Sequence, residues 1–204
     1  MTLTVYSIDG VTPVVDPTAY VHPSAILIGD VIVGAGCYIG PAACLRGDFG
    51  RLDIRAGANI QDTCVLHAFP GHATVVGEDG HIGHGAVLHS CIVERNALVG
   101  MNAVVNDDAV IGESAIVAAM AFVRAGMIVP PRTLAAGVPA KVLRALTELE
   151  LKWKIEGTQS YHDLARRSLA TMRATTPLAA PEPGRKTLDL PELLPLSSLK
   201  AIST

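Results

Sequence analysis

An aliphatic residue returns at every sixth position along most of this chain. From Val21 the series runs through Leu27, Val33, Ile39 and Leu45. It resumes at Ile60 and Leu66, again at Ile82 and Leu88, and then from Val93 through Val99, Val105, Ile111, Val117, Val123 and Val129. Four residues after an anchor stands something small: Ala25, Val31, Cys37, Ala43, Cys64, Ala86, Ala97, Ala103, Ala109, Ala115, Ala121. Glycine often follows the anchor itself, as at Gly34, Gly40, Gly83, Gly100 and Gly112. Neither the 3.6-residue helical period nor strand alternation produces this spacing. Six residues make a short strand plus a corner. Three such sides close a triangular coil, and stacked coils bury their anchors in one continuous apolar prism. Half the residues are hydrophobic but only 4% are aromatic, so the core must be filled by Val, Ile, Leu and Ala.

This pattern is the hexapeptide repeat, and it resembles the left-handed parallel β-helix family. The left hand comes from that resemblance, because the period does not set it and most parallel crossovers are right-handed. The repeat extends from about residue 12 to about residue 142. The expected fold is therefore mainly β, a left-handed parallel β-helix over 1–142, with a C-terminal helical segment over 143–174 packed along it. The spacing of Thr147 and Glu150 is that of a capping box and predicts a short helix through Lys154, ended by Gly157. A second helix, Ser160 to Met172, would form a hairpin with the first. The remainder, 175–204, holds five of the thirteen prolines and reads as an extended tail.

Several function classes are disfavoured. A net charge of −3 provides no electrostatic footprint for nucleic acid. The N-terminus lacks the basic start and apolar core of a signal peptide, and no apolar run reaches the ~20 residues of a membrane helix. The expectation is a cytoplasmic protein. The four cysteines show no CxxC spacing and read as reduced thiols.

The period breaks between Leu45 and Ile60 and between Leu66 and Ile82, and it is one residue short between Leu88 and Val93. Loops that interrupt a rigid scaffold commonly carry function. Five of the seven histidines, His67, His72, His81, His84 and His89, fall within this interrupted stretch. His67 and His89 directly follow inward anchors, so both point outward. His84 belongs to a different side of the prism. A catalytic zinc takes three protein ligands at ~2.0–2.1 Å, and rings on two sides do not converge easily within one chain. A neighbouring chain could complete such a site, in a ring of three prisms. The alternative is solvated surface histidines. His72 and His81 are weak ligand candidates, and His22 and His162 read as structural or solvated.

Two stretches, LRGDFGRLDIRAGANIQDTCVLH (45–67) and GHIGHGAVLHSC (80–91), together resemble the signature of the γ-class carbonic anhydrase family. The resemblance implies metal ligands at His67, His84 and His89, two from one subunit and His84 from its neighbour, in a homotrimer. It implies a divalent metal, zinc first and Fe2+ or Co2+ next. It places Gln61 beside the metal-bound water with Asn59 nearby, gives Arg46, Asp48 and Asp62 an interfacial charge network, and brings Tyr161 from the helix toward the site. This chain departs from the prototype carbonic anhydrases in carrying Phe49 where an acidic residue follows the RGD aspartate. Its second loop offers only Glu78 and Asp79 for proton transfer, which speaks against fast CO2 hydration.

Longer matches, including VGEDGHIGHGAVLHSC and WKIEGTQSYHDL, resemble a narrower branch: the PaaY-type thioesterases of phenylacetate degradation and their relatives encoded with carnitine metabolism. The function so implied is hydrolysis of a CoA thioester by a metal-bound hydroxide. Three alternatives stay open: CO2 hydration, hexapeptide acyl transfer, and a non-catalytic trimeric metal-binding protein.

Overall fold

A computed structural model describes residues 3–191 and 193–202 of the chain. About seven coils of short strands stack into a left-handed parallel β-helix with three sides. The first side carries residues 26–29, 44–47, Val65–His67, Val87–His89, Val104–Val105 and Phe122–Val123. The second carries 31–33, 51–54, Ala73–Val76, Ile92–Val93, Val110–Ile111 and Ile128–Val129. The third carries Tyr20–Val21, Tyr38–Ile39, Asn59–Ile60, His81–Ile82, Leu98–Val99, Ile116–Val117 and Thr133–Gly137.

Parallel register turns the six-residue period into three columns. Leu27, Leu45, Leu66, Leu88, Val105 and Val123 stack inside the first side, and Ile39, Ile60, Ile82, Val99 and Val117 inside the third. The second column is Val33, Ile54, Val76, Val93, Ile111 and Val129. Each anchor from Leu27 onward is at most 1% exposed, and full burial of a Val, Leu or Ile side chain is worth about 1.5–3 kcal/mol. The apparent breaks in the period are filled by Ile54 and Val76, which the six-residue count does not reach. Both coils simply have a longer corner between the first and second sides. Recurring corners turn on a left-handed residue, for example Thr63, Gly85, Asn102 and Met120 between the third and first sides. Asn tolerates that conformation through local hydrogen bonding, whereas Thr63 and Met120 hold it at a cost of about 1–2 kcal/mol.

The predicted helical hairpin is instead one helix, α1 (Glu148–Thr171). The capping box forms as expected, with the Glu150 amide donating to Thr147 Oγ1 and the Glu150 carboxylate accepting from the Thr147 amide. Gly157 does not end the helix. Glycine in a helix costs about 1 kcal/mol, and anchors on both sides of it outweigh that cost. Lys154 Nζ donates to Asp79 O and Asn96 Oδ1 at 2.8 and 2.6 Å. Tyr161 and Ala165 pack beyond it, with Ala165 against Tyr20 and Tyr38. The helix therefore lies along the third side. In the segment read as an extended tail, a second helix, α2 (Leu196–Ile202), forms. The strand Ala140–Ala145 folds back antiparallel on Thr133–Gly137 and closes the last coil. Among the described residues no helix is long and apolar enough to cross a membrane.

Candidate functional site

Stacking brings His67 and His89 together. They are directly paired in register on the first side, and outward neighbours on adjacent parallel strands lie ~4.8 Å apart at the backbone. His67 Nδ1 faces His89 Nε2 at 3.1 Å. Two nitrogens on one tetrahedral zinc stand about 3.4 Å apart, given Zn–N bonds near 2.1 Å. The other nitrogen of each ring is held by a carboxylate: His67 Nε2 by Asp48 Oδ1 at 3.1 Å and His89 Nδ1 by Asp107 Oδ1 at 2.5 Å. Ligating histidines typically have their second nitrogen engaged in this way, which sets the tautomer and the ring direction.

Arg46 in turn clamps Asp48, with Nη1 at 2.9 and 2.8 Å from the two carboxylate oxygens. Burial alone would raise the Asp48 pKa, but the hydrogen bonds from Arg46 and His67 hold it below the usual carboxylate range. Burial pushes the His67 pKa down, outweighing the pull of Asp48, so its ring is neutral and its free lone pair available at neutral pH.

His84 is elsewhere. It sits at the corner between the third and first sides, with Nδ1 2.7 Å from Asp62 Oδ2. The chain must cross the whole first side, five residues and on the order of 15 Å, to reach His89. Among the described residues no three His, Cys, Asp or Glu side chains converge as a metal set. The expected charge-network residues have separate contacts within one chain. Arg46 and Asp48 serve His67, whereas Asp62 serves His84. In chemistry the three histidines fit a divalent metal, since each has one nitrogen held by a carboxylate. In space a single chain brings only two of them together.

The remaining predicted residues gather around His84 on the third side. Gln61 Oε1 accepts from the His84 amide at 3.2 Å, and Gln61 Nε2 donates to Asn59 Oδ1 at 2.9 Å and lies 2.7 Å from His81 Nε2. Tyr161 packs edge-on against His81 at 5.1 Å, not against the His67–His89 pair. His81, a weak loop candidate from sequence, is a half-buried member of this network. Burial first, then the charges of Lys154 and His84, pull its pKa to about 3. Asn59 Nδ2 and His81 Nδ1 are buried with no hydrogen-bond partner.

Glu78 and Asp79 occupy the corner between the second and third sides, where Asp79 meets His162 and Glu78 approaches Arg55. They are therefore not placed beside the histidine pair. His72 pairs with Asp108 at the surface, and His22 bonds Ser24.

The two lengthened corners stack on one another beside the pair. A Cβ on Gly50 would lie 2.3 Å from His72 O and 2.6 Å from Phe69 O, so only glycine permits this contact. The corners carry Phe49 and Phe69, 58% and 50% exposed. Phe49 lies 5.4 Å from the His67 ring, and Phe69 meets His89 edge-on at 4.7 Å. Sequence reasoning missed Asp107, Phe69 and the role of His81.

Fold and site together define a hexapeptide-repeat β-helix protein with a carboxylate-braced histidine pair on one side and a third braced histidine at the next corner. No family model matches the chain. It is 56% identical over 183 residues to the carnitine operon protein CaiE of Citrobacter koseri, a match covering 90% of this chain and 93% of that one. The chain belongs to the CaiE family, the carnitine branch of the expected resemblance. Among solved structures, a Bacillus cereus protein with a provisional acetyltransferase name superposes with TM-score 0.80 at 33% identity, covering 81% of this chain and 96% of the other. A hexapeptide transferase family protein of Anaplasma phagocytophilum gives 0.78 at 38% identity, covering 81% and 98%.

Proposed function

We propose that this protein is a metal-dependent hydrolase of a CoA thioester, assembled as a homotrimer in which His67 and His89 of one subunit and His84 of the next hold one divalent metal, zinc first. The observation that carries the reading is the carboxylate bracing of all three rings, by Asp48, Asp107 and Asp62. A divalent metal there would supply Lewis acidity, polarising a carbonyl and making water nucleophilic at neutral pH. Arg46 keeps Asp48 ionised and in place for His67. Gln61, fixed by Asn59 and the His84 amide, presents a polar amide beside the third ligand. Phe49 and Phe69 shield the histidine pair from water and offer apolar contact to an acyl group. Exposed apolar residues support assembly: Val65 and Phe122 on the first side, Ile92 and Ile128 on the second. The relatives are named for a carnitine operon, and acyl-CoA metabolism of that kind is the setting this reading favours over phenylacetate degradation.

A second reading, acyl transfer from CoA, is favoured by the names of the two solved relatives. The deciding experiment assays acyl-CoA thioesters and CO2 on metal-quantified protein, with and without amine or hydroxyl acceptors. Release of free acid that scales with metal content supports the hydrolase. CoA release only when an acceptor is present supports the transferase. Fast CO2 hydration with every thioester intact would replace both with a carbonic anhydrase.

A further inference from the structure

α1 does not seal the third side completely. Between helix and prism runs a groove of about 470 Å3. Its floor is Leu98, Ile116 and Leu134 on successive coils, with Ala118 beside Ile116, and its roof is Trp153 and Tyr161, with Leu196 of α2 also lining it. Glycine follows the buried anchors Ile82 and Val99 at the corners beside this floor. A Cβ on Gly83 would lie 2.8 Å from Met101 N, and one on Gly100 2.4 Å from Ala119 N, so the stacking itself demands glycine there. The two ends differ in chemistry. At one end are His84, Gln61 and His81, the last with its buried Nδ1 unpartnered. At the other is the Arg144–Glu150 ion pair, at 2.8 Å. Three coil steps separate the Ile82 and Ala135 levels, a length of about 14 Å.

We propose that this groove is the acyl-binding channel of the enzyme: an unbranched, apolar acyl group enters past His84 and Gln61 and lies along the third side under Trp153 and Tyr161. An apolar slot with a few convergent polar groups at one end is the usual form of a small-molecule site. Here those polar groups adjoin a residue of the proposed metal set. A CoA thioester matches this polarity, its acyl tail suiting the slot and its carbonyl the Gln61–His84 end. The far ion pair is a polar stop that sets a maximum chain length. The assignment rests on the thioester reading given above, but its test does not depend on turnover.

Trp153 is the chain's one tryptophan and lines the groove, so its fluorescence reports occupancy. The experiment titrates acetyl-, butyryl-, hexanoyl-, octanoyl- and dodecanoyl-CoA into the intact protein, with free CoA as control. Free CoA leaves the emission unchanged. Each added methylene tightens binding by about fourfold until the chain reaches Arg144, and then the gain stops. Ala118→Phe fills the floor and removes the chain-length dependence. Leu196→Glu, on a terminal helix outside the prism, weakens the long chains selectively if Ala118→Phe disturbs folding. Affinity independent of chain length, or unaltered by both substitutions, overturns the channel. Chain-length-dependent binding without hydrolysis upholds the channel and refutes the thioesterase. Hydrolysis with a silent Trp153 does the reverse.

Discussion

Replacing Asp107 with alanine removes one carboxylate and no proposed ligand. In the structure Asp107 Oδ1 sits 2.5 Å from His89 Nδ1 and leaves His89 Nε2 facing His67 at 3.1 Å. Without it, His89 is free to rotate and to place its proton on either nitrogen. Loss of such an outer partner typically weakens metal binding 10- to 100-fold, which is about 1.4–2.7 kcal/mol. The carboxylate is two-thirds shielded, with 31% side-chain exposure, so water replaces it poorly and the effect should fall toward the hundredfold end. The assay is competition for zinc against a chelator of known affinity, on wild type, Asp107→Ala, His89→Ala and the double variant. Because Asp107 acts through His89, the double variant should bind no more weakly than His89→Ala alone. If Asp107→Ala binds zinc within twofold of wild type while His89→Ala loses it, bracing is not what prepares the site. Additive losses would show that Asp107 contacts the metal by its own route.

Three further outcomes are expected. Mixing His67→Ala chains with His84→Ala chains in equal amounts should restore one metal site in each hybrid trimer, about a quarter of all sites, since an intact site needs complementary neighbours. A metal-bearing monomer by light scattering would exclude this arrangement. Ile54→Ala should cost about 2–5 kcal/mol in urea unfolding, whereas Leu188→Ala, 75% exposed, should stay within about 0.5 kcal/mol. Lys154→Met should alter the pH profile of stability. Burial, with smaller effects of Asp79 and Arg95, brings the Lys154 pKa from 10.5 down to about 7, so between those values the unfolded chain binds more protons and stability rises with pH. Denaturation midpoints measured from pH 7 to 10 should show wild type gaining on the Lys154→Met variant by up to about 1.4 kcal/mol per unit; parallel profiles would count against it.

The columns of the prism were legible because a buried side of a regular coil tolerates little but Val, Ile and Leu. Ile54 and Val76 escaped because their coils are lengthened at one corner, which shifts them nine and ten residues beyond Leu45 and Leu66. Gly157 misled because local propensity says stop, whereas Lys154 and Ala165 hold the helix down from either side. Asp107 was missed for a geometric reason. It stands eighteen residues after His89, one coil further along, and bonds a ring far from it in sequence. Comparing each histidine with the position one coil later would have found it. The same comparison one coil back, through the lengthened corner, pairs His81 with Asn59. Asp62 entered beside Arg46 and Asp48 only through the family resemblance; within the chain it braces His84 across a corner from them, a contact that the linear spacing does not reveal.

α1 makes the three sides of the prism unequal. A bare triangular β-helix presents three similar aliphatic walls, and nothing in its repeat favours one neighbour direction over another. Such an object could tile outward in a layer as readily as it could close on itself. With the third side occupied by its own helix, only two walls and the edge between them remain for other copies. Two walls meeting at a triangular edge suit the closed ring of three proposed above. The helix that was expected to pack along the prism therefore also distinguishes its sides. On the trimeric reading proposed above it directs neighbouring copies to the two open walls, and it leaves the His84 corner and the His67–His89 pair at opposite edges of the first open wall.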